Sequence, residues 1–381
     1  MIEAANRLDH IEEYYFSKKL REIAAMISNG KPVINIGVGS PDLQPPQAII
    51  DVLKNSLLDD KAHQYQSYKG IPELRTAISR FYQTHYQVTL DANTEVLPLI
   101  GSKEGVMHVS MAFLNPGDAV LIPNPGYPTY ATVTNLVGAK PVFYELSETN
   151  NWLPDLEALE QQDLSKVKLM WINYPHMPTG AQADQEFFEK LVAFAKTHKI
   201  LIVNDNPYSF ILNNQPTSFL SVKGAKDVGL ELNSLSKTFN MSGWRIGMVL
   251  GQSKYIDSVL KVKSNMDSGM FYALQKGAAQ ALDLEDDWFA EINKIYERRR
   301  QLVWQLADAL GCAYDKNSSG MFVWAKLPKG ATNSKEFIEP ILQEKHVFIT
   351  PGSIFGSQGE GYIRFSLCVD ESQIQEAINR I

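Results

Sequence analysis

The sequence predicts an α/β protein, with a three-layer large domain around a mostly parallel sheet followed by a smaller α+β domain. Three observations carry this. The chain has 381 residues, enough to bury a large core in two domains. From about residue 95, short apolar runs alternate with helical patterns, the signature of βαβ units. After about residue 276 the alternation gives way to one long helical pattern and a few short strands. The expected divisions are an N-terminal segment (1–40) lying on the small domain or on a partner subunit, a large domain (41–276) and a small domain (277–381).

The elements follow in order. The segment through Lys31 has helical character and carries Tyr14, Tyr15 and Phe16. "EVLPLIG" (95–101) predicts a strand, weakened by Pro98. "SKEGVMHVSMAFL" (102–114) has helical spacing, with Ser102 as its expected N-cap. "AVLIP" (119–123), "PVFYEL" (141–146) and "KLMWINYP" (168–175) predict strands. "QEFFEKLVAFAKTH" (185–198) predicts an amphipathic helix, and "ILIVND" (200–205) a buried strand. "VGLELNS" (228–234) is a further strand, with "RIGMVLG" (245–251) pairing back antiparallel. Then come a long helix, "DDWFAEINKIYERRRQLVWQLADAL", and the strands "MFVWAKL", "VFITPGSIFG" and "YIRFSL". The run Arg298–Arg300 reads as a solvated helix face.

Bulk properties exclude several classes. Charged residues make up 21% and hydrophobic residues 44%, ordinary for a soluble globular protein. A formal net charge of −7 disfavours nucleic acid and anionic membranes. No apolar run approaches the ~20 residues that span a bilayer. The acidic N-terminus lacks the apolar core of a secretory signal. Two cysteines, Cys312 and Cys368, fit a reducing cytoplasm, the expected location. Seven scattered histidines show no metal-ligand spacing, so no metal is expected.

In open α/β sheets, sites form outside the carboxyl ends of strands. The residues just beyond each expected strand are therefore informative. They are Gly101 and Ser102; Tyr127 in "NPGYPTY"; Asn173; Asp205 with Tyr208; and Ser234 leading to Lys237. An amine, a carboxylate, phenols and an anion cradle on one edge match the needs of pyridoxal phosphate. Its aldehyde bonds a lysine, and its ring nitrogen needs a carboxylate to stay protonated. Its phosphate needs a helix N-terminus, hydroxyls and an arginine, and its ring face an aromatic partner.

The chain resembles the class I/II aminotransferases, the fold-type I pyridoxal-phosphate enzymes. The likeness runs from "INIGVGSPD" (34–42) to "YIRFSL" (362–367). Its strongest element is "NSLSKTFNMSGWRIG" (233–247), similar to the family's lysine motif. "YQSYKGIPELR" (65–75), "GSKEG" (101–105), "NPGYPTY" (124–130), "MPTG" (177–180) and "DNPY" (205–208) follow in family order. The resemblance implies that Lys237 forms the Schiff base with pyridoxal 5'-phosphate and moves the Cα proton. It implies that Asp205 pairs with the ring nitrogen and Tyr208 bonds the phenolic oxygen. Ser234, Arg245 and the backbone near Ser102 and Lys103 would hold the phosphate, with Tyr127 stacked on the ring. Tyr65 would reach the neighbouring subunit's phosphate, so that a homodimer shares its active sites; Tyr68 is the alternative. Arg364 would grip the substrate α-carboxylate, with Gly39 presenting backbone beside it.

One departure stands out. The family carries Asn before "PTG", where this chain has Met177, which cannot donate to the phenolic oxygen. The Schiff base is therefore expected to titrate differently from that of relatives that keep the Asn, unless His176 or Asn173 compensates. The expected activity is ping-pong transfer of an amino group between an L-amino acid and a 2-oxo acid. A β-elimination lyase on the same cofactor is the alternative. A dinucleotide-binding dehydrogenase is disfavoured, because Asp42 stands where the third glycine of "GVGSPD" belongs. "KVKSNMDSG" (261–269) has no arginine, against a dicarboxylate specificity. "SNMDSG" and "NYP..PTGA" resemble diaminopimelate-type transaminases, and a large neutral amino acid fits equally.

Overall fold

The computed structural model describes residues 2–9, 11 and 13–381. Its strands are β1 (Ile34–Asn35), β2 (Val96–Leu99), β3 (Ala119–Asn124), β4 (Lys140–Glu145), β5 (Val167–Ile172), β6 (Leu201–Asp205), β7 (Gly229–Ser234), β8 (Gly247–Gly251), β9 (Ala313–Tyr314), β10 (Phe322–Lys326), β11 (Val347–Phe348), β12 (Thr350–Pro351) and β13 (Tyr362–Ser366). Seven form the main sheet in the order β2-β8-β7-β6-β5-β3-β4. β3 to β7 run parallel, and β8 lies antiparallel between β2 and β7, as its sequence predicts. Pro98 sits in β2, an edge strand, where a residue without an N–H is tolerated.

Side chains of the central strands alternate between two apolar clusters. Met170 and Ile172 face one, and Leu169 and Trp171 the other. The first cluster also takes residues from helices Pro72–Tyr86, Gln185–His198 and Tyr272–Leu282. The second takes Val106 and Val109 of helix Ser102–Phe113 and Ile256 and Val259 of helix Ser253–Lys263. Helices thus cover both faces, which is why β3, β6 and β7 are buried throughout.

A third cluster gathers Ile23, Ile34 and Ile36 with Met177, Ile211 and residues from 292 onward. It lies around the antiparallel sheet β12-β13-β10-β9, while β1 pairs parallel with β11. The N-terminal helix, Tyr15–Ser28, is shorter than its sequence suggests and contributes Ile23 to this cluster. Helix Asp286–Ala309 joins the clusters, with Phe289 in the large core and Ile292, Tyr296 and Val303 in the small one.

Three expectations are corrected. Ser102 is not an N-cap. Gly101 holds that position at φ 87°, a backbone conformation that a residue with a Cβ adopts only under strain. The Arg298–Arg300 run is not wholly solvated. Arg299 is 2% exposed and donates to both carboxylate oxygens of Asp42 at 2.7 and 2.8 Å. The division at residue 276 falls inside the continuous helix Tyr272–Leu282, whose Ala278 and Ala281 belong to the large core. Among the described residues, no helix is long and apolar enough to cross a membrane.

Candidate active site

A cavity of about 520 Å³ opens at the carboxyl ends of the parallel strands. It is lined by Lys237, Asp205, Tyr208, Ser234, Arg245, Ser102, Lys103, Tyr127, Arg364 and Gly39. Tyr65 is the one expected site residue that this cavity does not contain. It is 91% exposed, and Tyr68 is 46% exposed.

Lys237 lies on the single-turn helix Leu235–Thr238, immediately after β7. Its Nζ donates to the Gly39 carbonyl at 2.7 Å. Burial lowers the proton affinity of this amine, and Arg364 and Arg245 lower it further. Asp205 ends β6. Its Oδ2 accepts from the Tyr130 hydroxyl at 2.9 Å, while Oδ1 is buried without a partner among the described residues. Burial pushes this carboxyl up to about 6, against the Tyr130 hydrogen bond and with help from the Glu231 charge. Burial likewise raises the Tyr208 phenol.

At the other end, helix Ser102–Phe113 presents its first backbone N–H groups. Gly247 lets the Ser102 nitrogen approach, since a Cβ there would lie 2.5 Å from it. Arg245, at φ 56°, braces its guanidinium on the Ser242 carbonyl at 3.0 Å. Lys103 stands 5.0 Å from the Tyr14 ring centroid, and burial lowers its proton affinity.

Arg364 projects from β13 into an aromatic cage. Its guanidinium lies 4.0 Å from the Phe322 ring centroid, 4.7 Å from Phe355 and 5.6 Å from Phe16. Nη2 donates to the Gly37 carbonyl at 2.8 Å, Nη1 meets the Met177 sulfur at 3.3 Å, and Nε has no partner among the described residues. Burial brings this guanidinium down to about 10.

Of the two residues that could compensate for Met177, Asn173 lines the cavity and His176 does not. The His176 ring contacts the Thr179 hydroxyl at 2.8 Å. Asn173 donates to the Asp205 carbonyl and accepts from the Met177 N–H at 2.8 Å.

The sequence alone missed several lining residues: Tyr130, Tyr14, Phe16, Phe322 and Phe355. Tyr130 closes the quoted "NPGYPTY" motif but reads as helix core. The cluster Tyr14–Tyr15–Phe16 was visible as an aromatic group in an acidic segment, without a sign that it faces this cavity. Outside the cavity, Glu104, His108 and Asp267 bring three donor atoms within 4.8 Å of one another. The Lys263 ammonium, 2.8 Å from Asp267, already supplies a cation there.

Comparison with known proteins agrees with this geometry. Residues 31–381 match the family described as aminotransferase class I and II. The chain is 42% identical over 382 residues to the LL-diaminopimelate aminotransferase of Halothermothrix orenii, covering 100% of this chain and 98% of that one. It is 40% identical over 380 residues to the enzyme of the same name from Nitratidesulfovibrio vulgaris, covering 99% and 98%. Among solved structures it is similar to substrate-bound BacF from Bacillus subtilis, with a TM-score of 0.96 and 35% identity over 100% of this chain and 97% of that one.

The cavity fits pyridoxal phosphate on its own evidence. An unpartnered carboxylate oxygen, a buried amine of lowered basicity and a helix N-terminus beside two cationic side chains line one space. The chain belongs to the class I and II aminotransferase family, as a pyridoxal-phosphate-dependent enzyme of the transferase class.

Proposed function

We propose that the enzyme moves the amino group of an L-amino acid with a large, mainly apolar side chain to a 2-oxo acid, by a ping-pong sequence. One observation carries the substrate class. Arg364, the arginine at the substrate end, is walled by Phe16, Phe322 and Phe355, with Tyr14 and Val38 beyond. A bidentate guanidinium suits an α-carboxylate, and the aromatic walls suit an apolar side chain.

Pyridoxal phosphate supplies an aldehyde that bonds amines and a ring that delocalises electrons released at Cα. The protein supplies the rest. Ser234, Arg245 and the backbone at Ser102 and Lys103 bind the phosphate. Tyr127 covers the ring. Asp205 holds the proton at the ring nitrogen, and Tyr208 bonds the phenolic oxygen. Gly39 offers backbone beside the substrate carboxylate. Lys237, kept weakly basic by burial, would serve as the base that takes the Cα proton on its neutral Nζ and as the acid that gives it up again.

A second subunit completes the site in this reading. The 91% exposure of Tyr65 supports it, because a phenol on an open loop is free to reach across a homodimer. A cytoplasmic location accords with two free, buried cysteines. The division into an N-terminal segment, a large domain and a small domain is supported by the separate apolar clusters, with its second boundary moved to residues 283–285.

LL-diaminopimelate is the second reading, favoured by the name of the full-length relatives. Its distal ammonium and carboxylate need polar partners, and Phe16, Phe322 and Phe355 offer none. A panel of amino acids scored by cofactor absorbance change in half-reactions decides. Fast conversion by phenylalanine, tyrosine, leucine or methionine supports the proposal. Conversion by LL-diaminopimelate alone overturns it.

A further inference from the structure

Behind Asp205, on the face of the sheet away from the cavity, lies a carboxylate that the reaction does not use. Glu231 sits on β7 opposite Asn204 of β6, and it is fully buried. Successive side chains of a strand point to opposite faces, so Asn204 and Asn206 point away from Asp205 and toward Glu231. Five donors converge on it. Oε1 accepts from the Tyr82 hydroxyl at 2.8 Å, the Ser218 hydroxyl at 2.9 Å and Asn206 Nδ2 at 3.3 Å. Oε2 accepts from Asn204 Nδ2 at 3.1 Å and the Phe219 N–H at 2.9 Å.

Backbone contacts fix the direction of these amides. Asn204 Oδ1 accepts from the Tyr174 N–H at 3.1 Å, and Asn206 Nδ2 also donates to the Thr217 carbonyl at 3.1 Å. Asn233 Oδ1 accepts from the Ser234 N–H at 2.7 Å, leaving its Nδ2 to donate to the Tyr82 hydroxyl at 3.0 Å. The network therefore reaches both ends of the cofactor cradle. Asn204 and Asn206 flank Asp205, and the Tyr82–Asn233 link ends at the backbone of Ser234. Every partner of Glu231 donates, so only an acceptor at both oxygens satisfies them all.

We infer that Glu231 is a positioning residue that locks the strand ends bearing Asp205 and Ser234 in the register that holds the cofactor. This rests on the role proposed for Asp205. The inference separates Glu231 from an ordinary buried polar residue, because its effect passes through the cofactor rather than only through stability.

The test is Glu231→Gln, which keeps the shape and sets an N–H against a donor. Pyridoxal phosphate binding to the apoenzyme is measured by fluorescence, beside the melting temperature and the absorbance of the loaded enzyme. A rise in cofactor Kd of roughly ten- to a hundredfold is expected, from loss of hydrogen bonds to a charged group. Glu231→Asp is expected to recover part of it. In the cycle with Asp205→Asn, the double variant is expected to lose less turnover than the product of the single losses. A lower melting temperature with unchanged Kd and spectrum overturns the inference. Where Glu231→Gln does not fold, Tyr82→Phe and Asn206→Ala keep the carboxylate. Each is expected to raise Kd several-fold, and two unchanged values overturn it. If Asp205→Asn retains full turnover, the role of Asp205 falls instead, while the Kd effect of Glu231→Gln still reports on the positioning network.

Discussion

The Tyr130 hydroxyl donates to one oxygen of Asp205 at 2.9 Å, and the other oxygen has no partner among the described residues. Half of this carboxylate is thus oriented by the fold, and half is available to a ligand. Tyr130→Phe removes the orienting donor and drives the carboxyl further above its ordinary range. We expect cofactor affinity to fall about tenfold, the worth of one hydrogen bond to a charged group. Cofactor titration of the apoenzyme checks it; an unchanged Kd would show that Tyr130 only packs.

Lys237→Ala should bring transfer down by about 10²–10⁴-fold or more, since both the amine partner and the proton carrier are lost. Borohydride reduction followed by peptide mass mapping should place a pyridoxyl group on Lys237 in the parent and nowhere in the variant. Substantial turnover by the alanine variant would remove the lysine from its role.

The pH dependence of apoenzyme stability should carry the mark of Asp205. Its folded pKa, about 6, lies above the ordinary 3.8. A raised carboxyl favours the folded state fully below the unfolded pKa and loses that contribution as pH climbs through 6. Comparison with Asp205→Asn isolates it, because the other titrating groups are shared. Melting curves from pH 4 to 8 should show wild type losing ground to the variant. The limit is on the order of 3 kcal/mol. A constant difference across that range would contradict this.

Met177→Asn should move the midpoint of the cofactor's absorbance titration, because an amide donor replaces the sulfur that now meets Arg364 at 3.3 Å. Superimposable titrations of the two proteins would refute the argument.

Asp42→Ala should leave the Arg299 guanidinium buried with only the Leu367 carbonyl and a distant Glu371. Asp42 itself is partly exposed, with 32% of its side chain open, so the loss should stay below that of a wholly buried pair, at about 2–3 kcal/mol. Denaturant unfolding measures it, and a change under half a kilocalorie would return Arg299 to the class of incidental contacts.

Legibility from sequence followed a physical line. Residues that chemistry forces to a strand end, such as Asp205, Ser234 and Lys237, were readable because the apolar runs before them are unmistakable. Arg364 was readable only by resemblance. Arg299 was not, because an arginine in a charged run looks solvated until Asp42, 257 positions away, arrives beside it. Glu231 hides the same way, as the polar interruption of "VGLELNS" whose five partners come from distant segments. Ser102 reads as a cap because a hydroxyl usually caps, whereas the positive φ at the cap position selects the glycine one residue earlier.

The helix Asp286–Ala309 has one more implication. Because Phe289 is mortared into one core and Val303 into the other, neither half can melt without stripping a wall from its neighbour. Heat should therefore take the subunit apart in one cooperative step rather than lobe by lobe, despite its two-part build.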